Sequence, residues 1–289
     1  MRALMLSIVV TLVALTLAGC GDDDSPQAPA AGPTKSTSTA PGTSGGGGLD
    51  RVVDIGGSRD LYVRCTGTGS PTVLMEGGDG DTSDSYAFAE PDVSVITRTC
   101  VYDRANLGRS GPAPGPRGLK ELVGDLEALL DRARIPGPYV LVGTSGGGYI
   151  SAGYAVAHPR ETAGMVFVEV PPPFEDPPRE IVEETDPDNP ENVEKRDFLQ
   201  VEKDAWNARK RIGDIPVTII SNRYSAAEIR ESPFASERRG MRRNVQAQRG
   251  WLVLSPRAKQ VVVTTGHAVE EEDPDAVIGA IVDVVQAAR

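Results

Sequence analysis

Histidine is scarce in this 289-residue chain, with only two copies, and cysteine is nearly as rare, with three. Any chemistry that needs an imidazole base must therefore use His158 or His267. Basic charge is also in short supply. Thirty Lys and Arg stand against 41 Asp and Glu, which leaves a net charge of −11 and a pI near 4.8. That balance speaks against a nucleic-acid partner, which calls for a basic face. No internal repeat is visible, and the apolar run Ala3–Leu17 is too short and wrongly flanked for a membrane span. The rest is ordinary for a globular protein, 39% hydrophobic and 25% charged, with length enough for one large domain or two small ones.

The most informative segment is Tyr139-Val140-Leu141-Val142-Gly143-Thr144-Ser145-Gly146-Gly147-Gly148. It reads as a buried strand running into G-x-S-x-G and then into a helix that His158-Pro159 ends. A serine at such a turn holds its hydroxyl above the carboxyl end of a sheet, and the glycines allow strain and close approach. The N–H of Gly146 then points at the same space and can donate to an oxyanion. A serine nucleophile needs a base. His158 reads as a polar helix end. His267 follows the β-branched run Gln260–Thr265 closed by Gly266, and precedes a last amphipathic helix over roughly 273–288. It is the candidate base; the bland alternative is a surface-loop histidine.

The N-terminus reads as a leader rather than part of the fold. Residues 1–19 have a positive start and an apolar run, and lead through Leu17-Ala18-Gly19 into Cys20. That ending resembles the lipobox of bacterial lipoproteins, which implies that Cys20 takes a diacylglycerol on its sulfur and becomes the first mature residue. Several acyl chains hold a protein on a membrane far better than one. The alternative is an ordinary signal peptide with an incidental cysteine. Residues 20–48, rich in Asp, Ser, Pro, Ala, Thr and Gly, cannot bury a core and are expected to form a disordered tether. The folded domain is expected over 49–289. Export would leave Cys65 and Cys100 as a pair that tends to oxidise; two free buried thiols are the alternative.

Along the domain, residues 51–55 and 60–65 predict an opening antiparallel hairpin. Short buried strands follow over 71–75 and up to Tyr102. An amphipathic helix carries Leu119, Leu122, Leu126, Leu129 and Leu130 on one face. Further strands are expected over 165–170, 217–220 and 261–264. Strands alternating with helices predict a mostly parallel sheet covered on both faces, an α/β fold. The pattern breaks over 171–214, where a small mobile cap with a helix near 193–211 is expected; a long solvated loop is the alternative.

These segments together resemble the α/β-hydrolase superfamily over nearly the whole domain. The resemblance implies that Glu76-Gly77-Gly78 is the oxyanion turn, with the N–H of Gly78 as a second donor beside Gly146, although Glu76 departs from the family's usual His. Asp103-Arg104-Ala105-Asn106-Leu107-Gly108-Arg109-Ser110 looks like the turn after the fourth strand, and Thr144 stands where many members carry His. The order serine then histidine fits His267 as the base. Cys65 and Cys100 would lie on neighbouring second and fourth strands, which makes a bridge plausible. The usual place for the acid, after the strand ending at Ile220, holds Ser221-Asn222-Arg223-Tyr224. Some members carry the acid one strand earlier, here Glu169; Glu228 and Asp176 are the alternatives.

The expected chemistry is that of a lipid-anchored, extracytoplasmic serine hydrolase. Ser145 attacks an acyl carbonyl, His267 takes its proton, Glu169 orients the imidazolium, and water releases the acyl group. No metal or organic cofactor is called for. The substrate is expected to be a small acyl compound, best an ester, and the membrane is met through Cys20. An acyltransferase or perhydrolase on the same triad is one alternative; a non-catalytic cell-surface binding protein on this scaffold is another.

Overall fold

The structure, a computed structural model, describes residues 48–289. The leader, Cys20 and nearly all of the tether lie outside the described residues. Eight strands form one sheet in the order β1-β2-β4-β3-β5-β6-β7-β8. The hairpin of β1 (Leu49–Gly56) and β2 (Arg59–Thr66) is antiparallel, and β2 meets β4 (Thr99–Tyr102) antiparallel as well. From β4 through β3 (Thr72–Glu76), β5 (Tyr139–Thr144), β6 (Thr162–Val168), β7 (Val217–Asn222) and β8 (Ala258–Val263) every pairing is parallel. The sheet thus has the mostly parallel, α/β-hydrolase character expected from the sequence.

The pleat sends alternate residues to opposite faces, and both faces are covered. On one face Leu74, Leu141, Met165 and Phe167 pack with α2 (Leu119–Ala133), α3 (Gly146–Ala157) and α5 (Phe198–Ala208). On the other, Val140, Val142, Val166 and Val168 pack with α1 (Glu90–Ser94) and α9 (Pro274–Ala287). Val277, Ile281, Val284 and Val285 of α9 are all buried. At about 1.5–3 kcal/mol for each fully buried apolar side chain, that stripe supplies the tertiary stabilisation that a helix of 14 residues lacks on its own.

Cys65 and Cys100 are direct cross-strand partners and form a disulfide. It closes a loop of 35 residues, which the chain-entropy model values at roughly 3–4 kcal/mol.

Three expectations need correction. The strand expected to reach Val170 stops at Val168, because Glu169 takes a left-handed backbone with φ of 49°. The helix expected near 193–211 is the shorter α5, whose start is fixed by Asp197 accepting from the N–H of Gln200 at 3.1 Å. The cover over the carboxyl end of the sheet is also larger than residues 171–214. α4 (Arg179–Glu184) and α5 lie in that segment, but α6 (Ala226–Glu231) and α7 (Ala235–Gln248) fill the stretch between β7 and β8.

Candidate active site

Ser145 joins β5 to α3 with φ of 45° and ψ of −121°, a conformation costly for any residue with a side chain. Two close approaches hold it. A Cβ on Gly143 would meet the Cα of Gly148 at 2.5 Å, and one on Gly147 would collide with the carbonyl oxygen of Gly77. The N–H of Ser145 donates to the Val168 carbonyl at 2.9 Å, which ties the turn to the neighbouring strand. The strained serine therefore follows from packing that only glycine permits.

His267 lies on the loop after β8, with its Nε2 3.0 Å from Ser145 Oγ. Two bonds shape that loop: the N–H of Thr265 donates to Asn222 Oδ1 at 2.9 Å, and that of Gly266 to Glu272 Oε1 at 2.8 Å. His158 ends α3, as expected, and pairs with Glu127 of α2 at 2.6 Å.

Glu169 is fully buried just past the end of β6. Its Oε1 is 4.0 Å from His267 Nδ1, an ion-pair separation rather than a direct hydrogen bond. The carboxylate instead accepts from four donors: the N–H of Asn222 at 2.7 Å, Asn244 Nδ2 at 2.6 Å, Gln248 Nε2 at 2.8 Å and the Tyr224 hydroxyl at 3.1 Å. Those bonds offset the desolvation of the charge. The alternatives lie elsewhere. Glu228 caps α6, accepting from the N–H of Ser225 at 2.7 Å, and Asp176 is exposed at the rim of the cleft. Among the described residues, Glu169 is the carboxylate within ion-pair distance of His267.

The oxyanion turn differs from expectation in one respect. Gly78 sits against the nucleophile, since a Cβ there would lie 3.6 Å from that of Ser145. Its N–H, however, donates to Asp81 Oδ2 at 2.8 Å and is not free. Burial raises the Asp81 carboxyl above its ordinary range, while the bond from Gly78 acts in the opposite sense. Gly146 opens α3 beside Ser145, as the motif requires.

Glu76, the departure from the usual His, anchors a buried ionic network. Arg104 Nη1 donates to Glu76 Oε1 at 2.8 Å and to the Gly77 carbonyl at 2.7 Å. Its Nη2 reaches the Gly78 carbonyl at 2.5 Å, and the same guanidinium grips Glu194 through Nε at 2.8 Å and Nη2 at 2.9 Å. Glu194 also accepts from the N–H of Gly80 at 2.7 Å. The guanidinium groups of Arg104 and Arg196 hold the Glu194 carboxyl at about 2, against the effect of burial. The network ties the segment between β6 and β7 to the turn that cradles the nucleophile.

The sequence reading missed Tyr224, Asn244, Gln248, Arg104 and Glu194. Asn244 and Gln248 stand four apart on α7, so they share one helical face; that spacing was the available signal. A cleft of about 770 Å³ opens over Ser145 and His267, lined largely by residues 171–206 and 236–247.

A family model described as "alpha/beta hydrolase fold" matches residues 71–214. RutD of Azorhizobium caulinodans, named as a candidate carbamate hydrolase, is 32% identical over 116 residues, which is 39% of this chain and 42% of that protein. YqjL of Bacillus subtilis, an uncharacterized protein, is 27% identical over 121 residues, 42% of this chain and 48% of its own length. The chain thus spans less than half the length of these relatives. Among solved structures, a bromoperoxidase from Bacillus anthracis superposes with a TM-score of 0.63 at 16% identity, covering 82% of this chain and 100% of that one. A thermophilic esterase from Thermogutta terrifontis gives 0.59 at 18% identity, covering 83% and 99%. At such identities these two structures speak to the fold alone. With the strand order, the serine turn and the family match all in agreement, the chain is a member of the α/β-hydrolase superfamily.

Proposed function

We propose that this protein is a serine hydrolase that cleaves carboxylic esters through an acyl-enzyme. One observation carries the reading: a histidine ring nitrogen 3.0 Å from the hydroxyl of a serine held at positive φ between a parallel strand and a helix. Ser145 is the nucleophile. His267 is general base for the attack and then general acid for the leaving group. Glu169, held by its four donors, lends negative charge to the imidazolium across 4.0 Å; catalytic contacts of this kind often shorten once substrate is bound. The N–H of Gly146 holds the tetrahedral oxyanion, joined by that of Gly78 when Asp81 releases it. RutD, the relative named as a candidate carbamate hydrolase, is in keeping with acyl chemistry.

A fluorophosphonate probe tests the assignment directly. It is expected to label Ser145 and to leave Ser145→Ala unlabelled, with turnover of p-nitrophenyl esters lower by on the order of 10⁶ in the variant. Unchanged turnover in Ser145→Ala would remove the mechanism, and an unlabelled wild type would favour a binding protein.

The same proposal places the enzyme outside the cytoplasm, anchored by lipid on Cys20. The Leu-Ala-Gly-Cys segment supports it, as does a disulfide between Cys65 and Cys100, which persists in oxidising compartments. Cys20→Ala is expected to move the protein from the membrane fraction to the soluble one; a variant still sedimenting with membranes contradicts the anchor.

A further inference from the structure

The wall of the cleft has a charge pattern that ester hydrolysis itself does not require. Eight acidic side chains line it, against two arginines, Arg239 and Arg243. Most of the acids are accounted for. Glu194 and Asp79 pair with Arg104 and Arg196, Glu237 accepts from Ser232, and Glu175, Asp176, Glu184 and Glu191 face solvent. Glu202 differs. It is partly buried, lines the cleft, and among the described residues has neither a hydrogen-bond nor an ion-pair partner. Phe198, Glu202 and Trp206 follow one another at four-residue spacing on α5, so they share one face, and all three line the cleft. An unpaired carboxylate between two aromatic rings suits a cation, by ion pairing and by attraction to the ring faces. Both rings already meet a guanidinium, Arg196 over Phe198 at 4.1 Å and Arg209 over Trp206 at 3.7 Å.

A second observation, independent of the first, marks an unmet hydrogen-bond acceptor in the cleft wall. Asn192 lines the same cleft and is nearly fully buried. Its Nδ2 donates to the carbonyls of Thr185, Asp186 and Arg196 at 3.2, 3.1 and 2.8 Å, which fixes the orientation of the amide. Its Oδ1, an acceptor, is buried without a partner. Such an orphan acceptor costs free energy until a donor, from a ligand or a water, reaches it.

We propose that the substrate is an acyl ester bearing a protonated primary amine, which docks on the Phe198, Glu202 and Trp206 face of α5 within the cleft. The inference rests on the ester-hydrolase reading for the chemistry, but not for the amine site. Neighbouring charges set its pH dependence. Burial and the nearby Asp79 push the Glu202 carboxyl up to about 8, while Arg196 and Lys203 pull it down. Empty, the site is largely neutral at pH 7. The amine, with an ordinary pKa of about 10.4, stays protonated while Glu202 ionises. Preference for the cation therefore grows as pH rises from 6 to 9.

The test compares p-nitrophenyl 6-aminohexanoate with the near-isosteric p-nitrophenyl heptanoate. In wild type kcat/KM is expected to favour the amine by about tenfold at pH 8.5, and by less at pH 6. In Glu202→Gln the ratio is expected to fall towards one and to lose its pH dependence. Calorimetry on Ser145→Ala adds a readout without turnover: hexylammonium is expected to bind at least tenfold more tightly than 1-hexanol, and Glu202→Gln to abolish the difference. An amine preference that survives in Glu202→Gln, equal rates for the two esters in wild type, or hexylammonium no tighter than hexanol each overturns the site. Binding of hexylammonium without fluorophosphonate labelling of Ser145 would instead overturn the ester reading and uphold the amine site.

Discussion

Glu169 owes its position to four donors drawn from three segments of the chain. Its backbone sits at φ of 49°, its side chain is fully enclosed, and two amides from α7, a tyrosine hydroxyl and a backbone N–H surround its oxygens. Four donors around one carboxylate specify an anion, since a neutral amide has a single acceptor oxygen and would leave donors unpaired. Glu169→Gln is accordingly expected to lower kcat by up to about 10⁴, by analogy with a triad Asp-to-Asn change. It should also cost about 1–3 kcal/mol in unfolding free energy through the orphaned donors. Glu228→Gln should alter neither quantity beyond the loss of a helix cap. Stopped-flow rates and denaturant titration of both variants decide; near-normal kcat in Glu169→Gln would strip it of the acid role. Ser145 and His267 were legible because one stands in a motif and the other is half of a very small histidine set. Glu169 was legible as a charge in an apolar strand. The amides that hold it were not, because the contact crosses more than 70 residues and the four-residue spacing of Asn244 and Gln248 does not say what they face.

At the scale of elements, the sheet was readable and its cover was not. Each central strand is a short β-branched run, and both faces are buried, so burial and propensity agree. α7, with the sequence ASERRGMRRNVQAQ, carries almost no apolar periodicity, and only Asn244 and Gln248 on it are buried. A helix docked by amide hydrogen bonds leaves no hydrophobic stripe to read. The segment between β6 and β7 is likewise anchored by charge, through Glu194 on Arg104. Breaking a buried pair on one side costs about 3–5 kcal/mol, because the partner charge is left uncompensated. Glu194→Gln is expected to cost less than that, since Arg104 keeps Glu76, but to loosen the Gly77–Gly78 turn whose carbonyls Arg104 holds. The expected result is a fall in kcat of about tenfold on a neutral ester, measured at 25 °C where the variant remains folded. A change in Tm with no change in kcat would mean that the network only stabilises the fold.

For the whole molecule, buried acids set the pH dependence of stability, and the sign follows from the direction of each shift. Glu194, held at about 2, contributes stability that is complete above the unfolded carboxylate range near 4.3 and is lost as pH falls towards 2. Glu202 and Glu270 behave in the opposite way. Burial pushes them to about 8 and about 7, so above pH 4.3 the unfolded chain has released protons that the folded one retains. Folding stability should therefore decline as pH rises from about 5 through 8 and level off above. Differential scanning calorimetry from pH 4 to 9 is expected to give the highest Tm near pH 5. Glu202→Gln removes one of the raised carboxyls. It should match wild type near pH 4.5 and exceed it at pH 9, by roughly 2–4 °C for each kcal/mol relieved in a domain of this size. That is the behaviour of a side chain kept for a ligand rather than for the fold, since the free protein is more stable without its charge. A Glu202→Gln variant less stable than wild type at pH 9 would mean that the carboxylate is already compensated, and would count against the amine site as well.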